Sequence, residues 1–227
     1  MHAATPPPAH SPPLADGLTE DVRAELLDLV SPADSGRGRT LAAPTQARVA
    51  ALVKALEASA PPSSAAFLSA VAGRWSLLYT SRPKSASPIQ RAVTGVGSLD
   101  VVQELTFDGP GDSGTEGAGA DVPKGLGVTT GRLRNEVRWP GGVLYVCAAI
   151  SDVDNGRLFI TFDEAWAEVG IWGGRTVRVP YPVPFKLLGS IATGWLDITY
   201  VGGGVRISRG NKGSAFVLVR EGGMGAA

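Results

Sequence analysis

The order of hydrophobic and polar positions changes once along the chain, from helical spacing to strand alternation. Apolar residues recur at helical spacing from Thr19 to Val30 and again from Thr45 to Ser59, and a short helical turn is predicted between Ala65 and Ala72. The second stripe could cover a barrel or lie on a membrane surface. It offers only Arg48 and Lys54 as cations for anionic lipid, which favours packing against protein.

From Gly73 onward, short segments alternate apolar and polar residues in the manner of strands. Between two of them, Asp154-Asn155-Gly156 predicts a tight hairpin turn. So many strands joined by short turns leave no free edges when they close as a barrel, so we predict a mainly β fold, an antiparallel barrel of about 8–9 strands preceded by N-terminal helices. The predicted strands are about 73–80, 99–107, 131–139, 143–150, 157–163, 195–201, 205–209 and 214–220, with a further edge or connecting strand near 176–179.

The 227 residues predict one principal domain with extensions. A Pro/Ala-rich leader over 1–17 is expected to be disordered, because it cannot bury enough apolar surface to offset its ordering entropy. A helical segment over 18–72 is expected to pack on a barrel formed by 73–221. The barrel carries a glycine-rich insertion over 108–125 that we expect to be flexible, and 222–227 form a disordered tail.

The composition argues against several partner classes. Lys and Arg total 21 and Asp and Glu total 21, so no net field attracts nucleic acid. The single cysteine, Cys147, lies in an apolar run and is expected to be a buried, inert thiol, which suits a reducing compartment. No uncharged apolar run reaches the roughly 18 residues that a membrane-spanning helix requires. We therefore expect a soluble or peripheral protein without a nucleic-acid partner.

Histidine is absent from the predicted barrel and from the helical segment. Both histidines, His2 and His10, fall in the leader, which removes Ser-His-Asp catalysis, His-ligated zinc and the usual proton shuttle. Asp152 begins a segment that looks like a calcium loop, but Arg157 stands where that loop requires glycine. We predict a protein that is not an enzyme, with no catalytic residues, no metal site and no cofactor.

Several separated motifs in a fixed order resemble the plastid lipid-associated protein family, also called fibrillins. The resemblance extends from about Leu26 to Arg220, nearly the whole chain. It rests on Gly73-Arg74-Trp75-Ser76-Leu77-Leu78-Tyr79-Thr80-Ser81, Ser87-Pro88-Ile89-Gln90, Phe162-Asp163-Glu164-Ala165, Tyr181-Pro182-Val183-Pro184, Gly194-Trp195-Leu196-Asp197-Ile198-Thr199-Tyr200, Val205-Arg206-Ile207-Ser208-Arg209-Gly210-Asn211-Lys212-Gly213 and Phe216-Val217-Leu218-Val219.

The resemblance implies a lipocalin-like barrel that handles lipids in a plastid, at plastoglobules or thylakoid membranes. It also implies, for some members, contact with a lipid-biosynthetic enzyme of prenylquinone or carotenoid metabolism. The plastid location rests on this resemblance, because the first Lys or Arg is Arg23 and the leader is a weak transit peptide. The chain departs from the family pattern at Gly202-Gly203-Gly204, where the family usually carries acidic residues.

Aromatic residues on the predicted strands are candidates to line the barrel and contact a hydrophobic lipid, such as a prenylquinone, carotenoid or acyl lipid. Burying about ten methylene groups is worth roughly 8 kcal/mol before association costs, so hydrophobic lining alone can give useful affinity. The candidates are Trp75, Tyr79, Phe107, Trp139, Tyr145, Phe159, Phe162 and Trp195.

A charged residue interrupts the apolar or neutral strand near the C-terminus. Asp197 lies one predicted strand away from Arg206 and Arg209, so a pair between Asp197 and either arginine is geometrically reasonable. The pair could fix the strand register, which we favour, or it could anchor the polar headgroup of a ligand.

Three functional interpretations follow. A lipid-binding barrel predicts a cavity, whereas a lipid-body coat or enzyme scaffold predicts a filled barrel with an exposed apolar patch. A histidine-free enzyme predicts convergent polar groups in a cleft. Alternation of period two is the same in a filled and a hollow barrel, so the sequence leaves the first two interpretations open.

Overall fold

The predicted N-terminal helices are present in the computed structural model, which describes residues 16–31, 41–59, 66–81, 99–108, 129–171, 174–180, 192–211 and 213–222. The helices are α1 (Asp16–Val30), α2 (Ala43–Ser59) and α3 (Phe67–Val71). Residues 1–15 of the predicted leader, residues 109–125 of the predicted insertion and residues 223–227 of the predicted tail lie outside the described residues. The motifs at 87–90 and 181–184 lie outside them as well.

Strands occupy the rest of the described chain, and all nine predicted segments are present. They are β1 (Gly73–Thr80), β2 (Asp100–Phe107), β3 (Gly131–Trp139), β4 (Gly142–Asp154), β5 (Arg157–Ile171), β6 (Arg175–Pro180), β7 (Thr193–Gly202), β8 (Val205–Gly210) and β9 (Ala215–Arg220). The Asn155-Gly156 hairpin has positive φ at both residues, 45° and 83°, as a two-residue turn with twisted flanking strands requires.

The fifth strand continues well beyond its predicted end at Asp163, as far as Ile171. A register shift between Cys147 and Ala148 of β4 leaves Asp163 without a residue opposite it on β4, because Cys147 pairs with Glu164 and Ala148 pairs with Phe162. The extra residue inverts the alternation of inward and outward side chains. A pattern of strict period two therefore stops at Asp163, although the strand does not.

Eight strands pair antiparallel into a closed ring in the order β1, β2, β3, β4, β5, β7, β8, β9. β5 pairs with β4 along one edge. Along the other edge β5 pairs with β7 over Arg157–Thr161 and with β6 over Trp166–Ile171. The ring confirms the predicted lipocalin-like barrel, and β6 forms a flap beside it.

The first two helices cover the outside of the ring over β1, β7, β8 and β9. The stripe of α2 that faces the strands is buried completely or nearly so, which is the behaviour of a helix packed against protein. Each such side chain contributes roughly 1.5–3 kcal/mol by leaving water. The shared cluster comprises Leu26, Val30, Val49, Leu52, Val53, Leu56, Tyr79, Tyr200, Val205, Ile207, Val217 and Val219.

The glycines between β7 and β8 permit a close approach of α1. Arg23 of α1 reaches this turn and donates a hydrogen bond to the Tyr200 hydroxyl at 3.3 Å. Gly203 has φ of 54°, and a Cβ atom there would lie 2.2 Å from the Arg23 guanidinium carbon. A side chain at Gly203 would displace Arg23 as well as strain the backbone.

Candidate functional site

The inner face of the ring is lined mainly by apolar side chains. The cluster nearest α3 joins this helix to five strands and comprises Phe67, Val71, Leu105, Leu133, Ala148, Ile150, Leu158, Ile160, Leu196 and Ile198. Beside it lie Trp75, Leu77, Val101, Val137 and Leu218. A smaller group consists of Val146, Ala165 and Ala192. The short helix α3 thus packs its two buried apolar residues onto one end of an apolar interior.

Three of the eight aromatic residues predicted to line the barrel belong to these inner clusters or pack against them. Trp75 is 1% exposed and belongs to one of the inner clusters. Phe107 and Phe162 are partly buried and pack against the cluster beside α3. Their contact with a lipid remains a prediction.

Tyr79 instead contacts the cluster beneath α1 and α2. Tyr79 was a predicted lining residue like Trp75, because strict alternation from Trp75 places both on one face. A register shift between Leu77 and Tyr79 turns it outward, where it pairs with Val217. This position of Tyr79 corrects the inward orientation that strict alternation predicted.

Three more of the predicted lining residues lie on the outer face of the ring. Tyr145 stacks on Trp166 with ring centroids 4.9 Å apart. Phe159 is 37% exposed and pairs in register with Trp195, over which the Arg157 guanidinium lies at 4.3 Å. These residues point outward because their immediate neighbours along the strand fill the interior.

The last aromatic candidate, Trp139, is partly exposed at the end of β3. Its ring lies against Gly142, where a Cβ atom would approach it to 2.6 Å. It belongs to none of the described core clusters. Trp139 therefore packs on the turn between β3 and β4.

The predicted partner of Asp197 was wrong. Asp197 accepts hydrogen bonds from Nε and Nη2 of Arg157, at 2.5 and 2.9 Å, on the neighbouring strand β5. Arg209 faces Asp197 in register but donates both Nε and Nη2 to Glu57 of α2, at 2.6 and 2.8 Å. Arg206 points to the opposite face. The sequence alone could not identify these partners, because Arg157 is remote from Asp197, and Glu57 is remote from Arg209, along the chain.

These outer pairs border a groove between the end of α2 and the hairpin of β4 and β5. Its volume is about 420 Å³ and its lining residues are Glu57, Asp154, Asn155, Arg157, Phe159, Asp197, Ile198 and Thr199. Both arginine–carboxylate pairs described above are intact, and the Thr199 hydroxyl donates to Glu57 at 2.8 Å. The ions of this groove therefore stabilise one another and hold α2 to the ring.

A second group of charges covers the outside of β1, β2 and β3. Glu136 is the best buried member and accepts hydrogen bonds from Arg74 at 2.8 and 3.0 Å and from Arg138 at 2.6 Å. The hydrogen bonds from Arg74, with further help from Arg138, lower the pKa of Glu136 to about 2. This carboxylate thus stays ionised across the physiological range.

An arginine and a tryptophan close the ring beside α3. The Trp75 indole donates to the Val71 carbonyl at 2.8 Å. Arg220, the last residue of β9, lies 4.3 Å from the Trp75 ring and donates to the carbonyls of Ala70 and Ala72 at 2.5 and 3.0 Å. These carbonyls end α3 and have no helical partner. Arg220 therefore fixes α3 onto the ring.

A chain of polar side chains crosses the apolar interior. Nη2 of Arg206, on β8, donates a hydrogen bond to the Gln103 side chain of β2. The Gln103 amide donates to the Asn135 side chain of β3 at 3.0 Å. Because β8 and β3 stand opposite each other in the ring, this polar layer spans it from wall to wall.

Arg206 is the most unusual member of the polar layer. The side chain is 0% exposed, and its guanidinium lies 5.0 Å from the Trp75 ring. Nε and Nη1 have no hydrogen-bond partner among the described atoms. Burial, together with the nearby charge of Arg220, lowers the pKa of Arg206 to about 9. The guanidinium remains charged at neutral pH. Ser208, on the same inner face, also has an unpaired hydroxyl.

Sequence patterns did not identify the polar layer, although Arg206 was among the predicted candidate residues. Gln103 and Asn135 occupy inward positions of strands whose other inward positions are apolar. A polar residue that breaks the apolar phase of a predicted strand is the signal that could have identified them. It could not have shown that they meet Arg206.

Other chemistry within the described residues is limited. No group of three or more His, Cys, Asp or Glu side chains there is arranged to hold a metal ion. Cys147 is a free thiol that is 5% exposed, and burial raises its pKa. None of the described helices is both long enough and apolar enough to cross a membrane.

Comparison with known proteins places the chain among plastid proteins. Its sequence is 37% identical over 206 residues to the probable plastid-lipid-associated protein 12, chloroplastic, of Arabidopsis thaliana, covering 88% of this chain and 45% of that protein. It is 26% identical to the plastid lipid-associated protein 2, chloroplastic, of Brassica campestris, covering 90% and 70%. It is 27% identical to the chromoplast-specific carotenoid-associated protein C1 of an Oncidium hybrid cultivar, covering 92% and 71%.

The chain thus spans less than half the length of the Arabidopsis relative and about 70% of the other two. All three relatives are chloroplastic or chromoplastic, which confirms the plastid location. The family model PAP_fibrillin matches residues 20–219, almost the whole described domain. On that match, and on the identity to the Arabidopsis relative, this chain belongs to the PAP_fibrillin family.

Proposed function

We propose that this chain binds a hydrophobic lipid of the prenylquinone, carotenoid or acyl class inside the ring, at plastoglobules or thylakoid membranes, without catalysing a reaction. The observation that carries the proposal is that several apolar side chains on the inner face are only partly buried. Leu144 and Phe216 lie at the end of the ring opposite α3, and Phe162 lies deeper in the wall. A completely filled core would bury such side chains as fully as it buries Leu158.

The energetics of a lipid in this position are favourable. Each methylene group that leaves water contributes about 0.8 kcal/mol, and association costs several kcal/mol. An apolar wall on most of the ring can therefore hold a long chain without any dedicated polar contact. The names of the relatives, which refer to plastid lipids and carotenoids, support the same ligand class.

The proposal can be tested with a variant that fills the interior. Ala165 lies on the inner face, so Ala165→Phe should occupy space that a lipid would otherwise take. Native mass spectrometry of protein isolated from plastids should show a bound lipid for the wild type and a smaller bound fraction for Ala165→Phe. Ala51→Phe, on the exposed side of α2, is the matched control and should leave the bound fraction unchanged.

Two results would contradict a lipid inside the ring. One is wild-type protein that carries no lipid when isolated and takes up none when mixed with plastid lipid extract. The other is a steep loss of stability in Ala165→Phe without loss of binding, because a filled core cannot accept a phenyl ring.

A second candidate function, a coat on a lipid body or a scaffold for a lipid-biosynthetic enzyme, is favoured by one exposed patch. Ile171, Val177 and Val179 are 47%, 43% and 47% exposed on one face of the flap of β5 and β6. Their exposure side by side is unusual for a soluble surface and suits an apolar partner. If this patch carries the function, Val177→Ser with Val179→Ser should abolish flotation with lipid droplets while leaving lipid uptake by the ring intact.

A further inference from the structure

Among the described residues, the inner face of the ring carries a buried positive charge without a counterion. Arg206 is fully buried, and Nε and Nη1, which carry three of its five N–H donors, have no partner in the described structure. Its one hydrogen bond goes to the neutral side chain of Gln103. The neighbouring Ser208 hydroxyl is also unpaired.

The described inner face offers no acidic side chain to neutralise this charge. The inward positions of the eight ring strands, followed through their pairing registers and bulges, hold apolar residues and glycines with the polar exceptions Thr80, Gln103, Asn135, Arg206, Ser208 and Arg220. Arg220 is a second cation, and its donors are used by the carbonyls at the end of α3. The interior is therefore positive.

An unpaired buried charge is costly, and an unsatisfied buried donor in a native protein requires an explanation. A hydrophobic side chain of similar length at position 206 would fill the same volume without that cost. The arrangement is explained if a ligand supplies the missing anion. Burial and the charge of Arg220 depress the pKa of Arg206, and a bound anion would reverse that effect.

We propose that Arg206, with the Ser208 hydroxyl beside it, anchors the carboxylate of a long-chain fatty acid whose tail runs along the inner wall toward Leu144 and Phe216. This inference rests on the proposed function, because it assumes that the ring admits a lipid. It adds the chemical class of the headgroup, the depth of the headgroup in the ring and the orientation of the acyl tail.

The charge of the site favours a carboxylate over other headgroups. One guanidinium with free donors matches one negative charge, and charge-assisted hydrogen bonds are about twice as strong as neutral ones. A phosphate or diphosphate carries more charge than Arg206 alone can balance, because the donors of Arg220 serve α3. A neutral hydroxyl could accept a hydrogen bond but would leave the charge uncompensated.

The test compares two ligands of equal chain length on delipidated full-length protein. Hexadecanoic acid and hexadecan-1-ol share the same tail, so the ratio of their dissociation constants isolates the carboxylate. We expect the wild type to prefer the acid by about 10- to 100-fold, the range that one or two hydrogen bonds to a charged group provide. Arg206→Met should abolish the preference without weakening the binding of the alcohol.

Arg209→Met is the matched control, because Arg209 lies on the same strand and faces outward to Glu57. It should retain the preference for the acid. Arg206→Lys should retain part of the preference, since it keeps the charge but loses donors. Hexadecyl phosphate, as a third probe, should bind no better than hexadecanoic acid.

The outcomes separate this inference from the proposed function. If the wild type binds acid and alcohol equally, the ring holds lipid but the anchor is wrong. If it binds neither, the fatty-acid anchor is wrong, and uptake from plastid lipid extract decides the proposed function separately. If hexadecyl phosphate binds much more tightly, the site is for phosphate and the carboxylate assignment is overturned.

Thermal unfolding of the delipidated protein gives a second, independent readout. If Arg206 is an anchor for a ligand, the ligand-free Arg206→Met variant should melt at the same temperature as the wild type or higher, because the substitution removes an unpaired buried charge. A melting temperature clearly below that of the wild type would show that Arg206 stabilises the ligand-free chain, and it would overturn the proposal.

Discussion

Arg206 and Arg209 lie three residues apart on β8 and have opposite surroundings. Arg209 points outward, donates two hydrogen bonds to Glu57 and has its pKa raised chiefly by that contact. Arg206 points inward, lacks a carboxylate partner in the described structure and has its pKa lowered chiefly by burial. The same residue type thus links a helix to the ring on one face and carries an uncompensated charge on the other.

The contrast extends to the two faces of the ring as a whole. On the outer face, described ion pairs such as Arg157 with Asp197 and Arg74 with Glu136 lie within hydrogen-bond distance. On the inner face, Arg206 and Ser208 retain unused donors. The ions of the outer face are therefore neutralised within the described chain, whereas Arg206 on the inner face is not.

The largest effect is expected where the outer face meets the helices. Ile207 is 0% exposed beneath α1 and α2, so Ile207→Ala should lower the free energy of unfolding by about 2–5 kcal/mol through lost transfer energy and a cavity. Urea denaturation measures the change. Val177→Ala, on the exposed flap, is the control and should cost little. A loss of under about 1 kcal/mol for Ile207→Ala would mean that the helices do not share the core of the ring.

The next effect is the loss of stability in acid that we expect from Glu136. The folded pKa of Glu136 is about 2 and its ordinary value is 4.5, so its contribution to stability is present above pH 4.5 and is lost as pH falls towards 2. A shift of this size corresponds to at most about 3 kcal/mol at neutral pH. Glu136→Gln should therefore reduce the free energy of unfolding at pH 7 and have little effect near pH 2.

Urea denaturation at several pH values checks this dependence. Glu164→Gln breaks an exposed pair with Arg178 and serves as the control, with an expected change of under about 1 kcal/mol at any pH. Equal losses for Glu136→Gln at pH 7 and pH 2 would show that the charge of Glu136 is not the source of its contribution.

A smaller effect is expected at the groove beside α2. Glu57→Gln removes the partner of Arg209, which is 38% exposed, so the loss should be about 1 kcal/mol. Asp197→Asn should cost about the same or less, because Arg157 is 42% exposed and can be hydrated. A loss of several kcal/mol for Asp197→Asn, measured by urea denaturation, would mean that this pair is far better shielded from water than the described exposure indicates.

The smallest effect is expected at Cys147, which should not react in the native protein. The thiol is 5% exposed and its pKa is raised by burial, so little reactive thiolate is available. Labelling with a thiol reagent should become stoichiometric only in denaturant. Rapid labelling without denaturant would show that the outer side chains over Cys147 open readily.

The strands could be predicted because their signal is local. Alternating segments such as Gly131–Trp139 and the hairpin at Asn155-Gly156 depend on the pleat and on turn geometry, which neighbouring residues specify. The orientation of Tyr79 and the extent of β5 could not be predicted in the same way. Bulges near Leu77 and at Asp163 invert the alternation, and their positions depend on the partner strands.

The number of strands, the helical start and the family could be read from the order of residues, because they follow from local periodicity and from motifs that can be compared directly. Which polar groups meet depends on the closed fold. Glu57 reaches Arg209 across 152 residues, and Gln103 reaches Arg206 across 103 residues. Closing the ring brings such residues together and also excludes water from one of its faces. The unpaired charge of Arg206 therefore became visible only once the fold had assigned each residue of β8 to the inside or the outside.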